Sequence, residues 1–371
     1  MNIKFWCRVL DYYLIFPIIF LLVISFILVH SASPAVAQRF SLPQCYFIHR
    51  HTFYIVLSLT ILLIFSFFDT KTILNLSFLG FILFVILMIA VVALGMEAKG
   101  AKRWLYIVKI SIQPSEFVRY FFSVVIASVL TSRIKFKVHL SIAIFLLVFI
   151  LLLLQPDFSM SMLLTYSFVG QMFIACISFL YFPCILGIIV TGIATTYFYF
   201  PHIKQRIYNF FFFAQRDNFQ IMKSLEAFKK GQLIGVGPGE GSVKMFLPDC
   251  HTDFVFSVLA EEFGLIMCLV TFMLFGIISA RLFYITYRES ELFNLLVVFG
   301  ISIQFIAQFI INIGVTLSIF PTTGITLPLL SYGGSSLLSS SIALGVMISF
   351  SKNQDITLRL RKRIQFRNII D

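Results

Sequence analysis

Charge is what this chain has least of. Only 12% of its 371 residues are Asp, Glu, Lys or Arg, about half the roughly 25% of a soluble domain. That scarcity, with 60% hydrophobic residues, excludes a soluble enzyme and a disordered chain. The six cysteines (Cys7, Cys45, Cys176, Cys184, Cys250 and Cys268) include no CxxC pair and no paired histidine spacing. The sequence signatures of a metal site, a redox dithiol or a disulfide scaffold are therefore missing. There is no obvious low-complexity tract, and no clear inverted repeat with matched broken helices, which weakens a transporter reading. What is left is an all-α integral membrane protein, because the uncharged runs are too long for barrel strands.

A crossing needs about 20 apolar residues at 1.5 Å each. Tyr12 to Val29 is the first, read as a retained crossing and not as a removed signal peptide. Thr52–Phe68, Thr72–Met96, Pro114–Thr131 and Val138–Gln155 follow. Phe158 to Ile203 is uncharged for 46 residues, roughly twice a membrane's apolar thickness. It is expected to fold into two crossings with a hinge near Phe179–Pro183. The eighth is expected from Phe254 to Ala280. Leu292 to Ser351, uncharged for 60 residues, gives two more, broken between Pro321 and Pro328. The expectation is a single polytopic domain over residues 1–371, with ten transmembrane helices. A long extracytoplasmic loop, about 201–253, joins helices 7 and 8, and a basic tail spans 352–371.

The net charge of +12 is assigned to loops at a membrane surface, not to nucleic acid. Lysines and arginines divide 14 to 14 between the two sides. Seven of those opposite the termini lie in one long segment, Lys204 to Lys244, and long loops are discounted in setting orientation. Both termini are therefore expected in the cytoplasm. The juxtamembrane cluster Arg359–Arg363 agrees with that side. The outer basic residues remain unusual: Lys99, Lys102, Arg103 and Lys109 crowd between crossings three and four. They are read either as a site for an anionic ligand or as a solvated loop. The run Phe210–Phe213 is read as a lipid contact.

The long loop carries the motifs. Ser224–Lys230 is amphipathic and stops at Gly231, so a helix is expected there. Gly235-Val-Gly-Pro-Gly-Glu-Gly241 follows, either a flexible loop or a backbone able to present bare N–H groups. It is not a dinucleotide fingerprint, since no strand precedes it. His251-Thr-Asp253 then leads into the eighth crossing. Asp253 is either an N-cap or, at the edge of an apolar phase, a general base. Glu116 and Arg119, three apart on one helical face, are expected to pair and hold crossings together. Asp157 is either a cap or a polar contact on the outer face.

Five segments resemble the SEDS family (shape, elongation, division and sporulation), and its division-type members above all. They are Gly100-Ala-Lys-Arg-Trp104, Gln113-Pro-Ser-Glu116, Gln155-Pro-Asp-Phe158, Gly235–Gly264 with its His-Thr-Asp-Phe, and Asn312–Ser336 with its Ser-Tyr-Gly-Gly-Ser-Ser. The resemblance spans nearly the whole chain. Thr323 departs from it, since division-type members often carry lysine there and elongation-type members threonine.

The resemblance implies a peptidoglycan glycosyltransferase. It would polymerise lipid II, a disaccharide peptide on undecaprenyl diphosphate, at the outer face of the inner membrane, at the division septum. Its implied partners are a class B penicillin-binding protein and other divisome membrane proteins. The family's aspartate falls on Asp253 and its tryptophan on Trp104. Substrate contacts are expected from Lys102, Arg103, Trp104, Lys244, His251, Thr252, Ser331, Tyr332 and Gly333. Gly333 and Gly334 are read either as bringing N–H groups to the ligand or as packing a helix start. No cofactor or metal ligand set is expected from the sequence, and a divalent cation is left open. The competing functions are an elongation-type polymerase and a flippase for lipid-linked precursors. A flippase would depend on groups midway through the membrane such as Glu116.

Overall fold

The computed structural model describes residues 11–98, 101–107, 110–199, 204, 208 and 219–370, with backbone only from 353 onward. Lys4, Arg8, Lys99, Lys109 and Phe210–Phe213 lie outside the described residues, as does the tail cluster's side-chain placement. The helices are α1 (Tyr12–Arg39), α2 (Tyr46–Phe67), α3 (Thr70–Leu94), α4 (Pro114–Thr131), α5 (Lys137–Leu154), α6 (Phe158–Ile174) and α7 (Tyr181–Tyr199). After these come α8 (Phe219–Gly231), α9 (Val255–Arg288), α10 (Leu292–Thr316) and α11 (Gly334–Ile370). All but α8 coincide with an expected crossing. Seven of them are long and apolar enough to cross a membrane by length and composition. The others are α4, which carries Glu116 and Arg119, and the shorter apolar α6 and α7.

Between α3 and α4 the expected basic loop is instead a three-stranded antiparallel meander: β1 (Met96–Ala98), β2 (Ala101–Ile107) and β3 (Ile110–Ile112). Its residues Trp104-Leu-Tyr-Ile107 are strand formers. The sheet is an addition to an otherwise helical bundle.

The helix expected as the eighth crossing is broken. Gly264, at φ 71° and ψ −173°, interrupts α9, in a region of backbone space open essentially to glycine alone. A helix break beside a membrane must find new partners for its backbone groups. The segment 232–237 supplies them. Leu265 N–H donates to Gln232 O at 2.9 Å and Ile266 N–H to Leu233 O at 3.2 Å. In return Val236 and Gly237 N–H donate to the carbonyls of Glu261 and Glu262, both at 3.0 Å. A Cβ on Gly264 would stand 2.4 Å from Gly235 N, and one on Gly235 would stand 2.2 Å from Glu262 O. The glycine run is thus a splice into the kinked helix.

Charge secures the same joint. The Glu261 carboxylate accepts from the N–H groups of Ser242 and Val243 at 2.8 and 2.9 Å, capping the short 3₁₀ turn Val243–Met245. Glu262 holds Lys244 Nζ at 2.5 Å in a pair whose side chains are 0% and 5% exposed. Arg39, at the end of α1, donates to the carbonyls of Lys244, Met245 and Leu247.

The middle of the bundle is held differently. On α10, Gly300, Gln304, Gln308 and Asn312 recur every four residues and so lie on one face. Gln304 Nε2 donates to Ser123 Oγ at 2.7 Å and Arg119 O at 3.0 Å, and Gln308 Oε1 accepts from Arg119 at 2.7 Å. Ser167 of α6 bonds Ser123 of α4 and Gly300 O, while Gln171 bonds Ser123 O and Leu296 O. With little hydrophobic drive between helices in lipid, such amide and hydroxyl bonds hold α4, α6 and α10 together.

Candidate active site

A cavity of about 400 Å³ opens where the long loop, the β-meander and the segment between α10 and α11 converge. Its wall includes Arg103 and Trp104 from β2, Glu116 from α4, Asp249, Thr252 and Asp253 from the long loop, Thr322–Thr326, Tyr332 and Gly333. Asp253 does not occupy the N-cap position of α9, which falls to Phe254. Its carboxylate faces Gly324: a Cβ there would sit 3.7 Å from Asp253 Oδ2, with the backbone at φ 74°.

The peptide carrying this aspartate is held at three successive carbonyls. Tyr332 N–H donates to His251 O at 2.8 Å, Ser331 Oγ to Thr252 O at 2.5 Å, and Asn312 Nδ2 to Asp253 O at 2.9 Å. Asn312 also donates to Ile325 O at 2.7 Å, and Ser331 accepts from Leu327 N–H at 2.8 Å. Two loops distant in sequence therefore fold on each other through the polar end of α10.

Behind the wall the rings of Phe47, His251 and Tyr332 pack with centroids 5.1–5.4 Å apart. Burial pushes the Tyr332 phenol up to about 12, so it stays protonated. Burial likewise pushes the Cys250 thiol up to about 11.

The opposite wall is organised by Asp157. It is the N-cap of α6, accepting from Met160 N–H, and its other oxygen accepts from Gln113 Nε2 at 3.1 Å and Ser115 Oγ at 3.2 Å. Arg103 Nη1 lies 3.9 Å from it, and the same guanidinium donates to the carbonyls of Gln155 and Pro156. Asp157 is thus a helix cap, one of the two roles left open for it, and it makes polar side-chain contacts as well. Glu116 stands on this wall in the first turn of α4, with Arg119 Nη2 at 3.2 Å.

A family model described as cell cycle protein, FtsW/RodA/SpoVE, matches residues 12–356. The chain belongs to this family. Two curated relatives bear the name probable peptidoglycan glycosyltransferase FtsW. The one from Caulobacter vibrioides is 34% identical, over 94% of this chain and 91% of its own. The one from Coxiella burnetii is 36% identical, over 91% and 95%. The fold is that of a solved chain from a peptidoglycan synthase complex that coordinates polymerization and crosslinking. Its TM-score is 0.75 at 24% identity, covering 93% of this chain and 98% of that one. As in that solved structure, the FtsW/RodA/SpoVE chain is a multi-pass helical membrane protein.

The site residues expected from sequence separate into two sets. Arg103, Trp104, Thr252, Asp253, Tyr332 and Gly333 meet at the cavity. Four others do not line it. Lys102 is exposed elsewhere. Lys244 is 4% exposed, and its ammonium is committed to Ser31, Gly239 O and Glu262, leaving nothing for a diphosphate. Ser331 and His251 are buried behind the wall, where Ser331 acts on the backbone. Sequence reasoning missed Asn312 as the holder of the Asp253 carbonyl, and Gln308 as the third member of the Glu116–Arg119 pair. The four-residue spacing of amides in an uncharged run was the available signal.

Proposed function

We propose that Asp253 is the general base of a peptidoglycan glycosyltransferase. The reaction joins lipid II units into glycan strands at the outer face of the cytoplasmic membrane. The observation that carries this is an aspartate whose peptide is fixed at three carbonyls while the residue lines the cavity. The acceptor sugar hydroxyl gives its proton to Asp253 as its oxygen bonds to the donor's anomeric carbon. The bond from that carbon to the diphosphate oxygen breaks, and the diphosphate leaves with both electrons. One displacement with inversion needs one base and no covalent intermediate. Arg103 is the guanidinium on the wall and offsets charge growing on the leaving group. Trp104 and the backbone of 322–326 shape the sugar subsites.

Among the described residues no three potential metal donors gather, so no step is assigned to a divalent cation. Glu116 lines the cavity from the first turn of α4 and not from the middle of that helix, and α10's buried amide face is packed against α4 and α6. Both features favour a polymerase over a flippase. We read the activity as septal, with both termini in the cytoplasm; the likeness to relatives named FtsW supports the division-type reading. The synthase complex among solved neighbours supports a crosslinking partner of the class B penicillin-binding type.

The test is glycan synthesis by the purified full chain from lipid II. Asp253→Ala is expected to lower the rate by about 10²-fold or more while its thermal unfolding matches the parent's. Strand synthesis at the parent's rate by that variant sinks the proposal.

A further inference from the structure

Leu329 stands in left-handed backbone space at φ 64°, a conformation that a bulky side chain resists. It belongs to a tight turn in which the N–H groups of Leu330 and Ser331 donate to Leu327 O at 3.3 and 3.0 Å. This turn carries Ser331 and leads into Tyr332, and both of these fasten the Asp253 peptide. A side chain from another element grips it: Ser25 Oγ of α1 donates to Leu330 O at 2.7 Å.

A serine hydroxyl has one proton to donate. Ser25 gives it to Leu330 O, so the 2.9 Å contact between Ser25 Oγ and His51 Nε2 of α2 is a bond that the imidazole donates. Both side chains are fully buried. His51 Nδ1 has no hydrogen-bond partner among the described residues, so the ring's polar role is directed at Ser25. The same ring packs on Tyr332, with centroids 5.7 Å apart. An imidazole and a hydroxyl buried together are costly unless they bond, and here their bonds end on the strained turn.

We propose that His51 and Ser25 are positioning residues for Asp253: His51 orients the Ser25 hydroxyl, which clamps the turn that presents Ser331 and Tyr332. The inference rests on the reading of Asp253 as the base. Neither residue lines the cavity, so both act through others. The bonds run from His51 Nε2–H to Ser25 Oγ, from Ser25 O–H to Leu330 O, and across one peptide to Ser331 O–H on Thr252 O. Without the imidazole the hydroxyl can rotate away. Leu330 O then loses its donor, Ser331 and Tyr332 shift, and the aspartate drifts from the acceptor hydroxyl. A misplaced base slows the chemical step more than it weakens substrate binding.

The test uses the purified full chain and lipid II. His51→Leu and Ser25→Ala are each expected to lower kcat about tenfold while KM stays within about twofold of the parent's. His51→Gln, whose amide N–H can reach the same hydroxyl, is expected to recover most of the rate. Ser25→Ala, the smaller change, carries the test where His51→Leu does not fold. Amide hydrogen exchange gives a readout that needs no substrate. Exchange at residues 252–254 and 330–332 is expected to quicken in His51→Leu and Ser25→Ala and to return to the parent's in His51→Gln.

Two results overturn the proposal and leave the polymerase reading standing. One is a loss of thermal stability in His51→Leu and Ser25→Ala with the parent's kcat, which makes the pair merely structural. The other is His51→Gln as slow as His51→Leu, since the donated hydrogen bond then has no part. The expected exchange pattern in a parent chain that makes no glycan supports the clamp and overturns the polymerase reading instead.

Discussion

Two glycine-bearing stretches look alike in the sequence and do opposite work in the fold. Gly235–Gly241 lies against a broken helix, with Gly235 and Gly264 so close that neither has room for a Cβ. Gly324 stands at the cavity, where a Cβ has space but the backbone, at φ 74°, does not suit one. The first stretch uses its missing side chains to let main chains meet, and the second to leave the Asp253 carboxylate uncovered. Glycine content signals that backbone comes close to something. What it approaches is decided only by the partner strand, helix or ligand on the other side.

That contrast is open to experiment. Gly264→Ala is expected to have the largest effect. Its Cβ would meet backbone at 2.4–2.5 Å from a positive φ, costing more than about 3 kcal/mol. It should be read as lost thermal stability in detergent, not as a selective loss of glycan synthesis. A stable, inactive Gly264→Ala protein would move this stretch into the site and erase the contrast.

Next comes the buried pair beside it. Glu262→Gln leaves Lys244 without its counter-ion and is expected to cost about 3–5 kcal/mol, whereas Glu262→Leu with Lys244→Met recovers most of that. Additivity of the two single changes in a double-mutant cycle would mean the pair is not coupled.

Gly324→Ala should behave in the reverse way to Gly264→Ala. It is expected to lose about 1 kcal/mol of stability but about tenfold in kcat/KM, the extra methyl crowding the base. Equal losses in both readouts would make it a structural glycine after all.

The smallest effect is chemical. Cys250 is buried, with its thiol pushed up to about 11. Being protonated below that value, it should stay unlabelled by maleimide from pH 7 to 9 in the folded chain. Exposed Cys45 should label. Labelling of Cys250 should appear in Gly264→Ala and not in Gly324→Ala.

Much of the fold was legible because lipid imposes simple rules. Uncharged runs, their lengths and their prolines give helices, and the helical character of Ser224–Lys230 with its stop at Gly231 is local information. The β-meander was hidden because lysine and arginine among strand formers read equally well as a solvated loop. The break at Gly264 was hidden for a different reason. Phe263 and Leu265 continue an apolar helix pattern, and the partner that completes the interrupted backbone lies some 30 residues upstream. Lys244 shows the same limit at a single side chain. Its charge was visible, but the carboxylate that consumes it sits on another element, so an outward-looking cation turned out to be an internal one. Asp253 stood out through its motif, yet what aims it came from Ser331, Tyr332 and Asn312, none of them near it in the chain.

The way that aspartate is secured has an evolutionary corollary. The three fastenings seize main-chain oxygens, which all twenty amino acids possess, so the identity of the neighbours is largely decoupled from the orientation of the reactive group. Thr252 can therefore drift in size or polarity, retuning which sugars are accepted, without the proton acceptor losing its bearing.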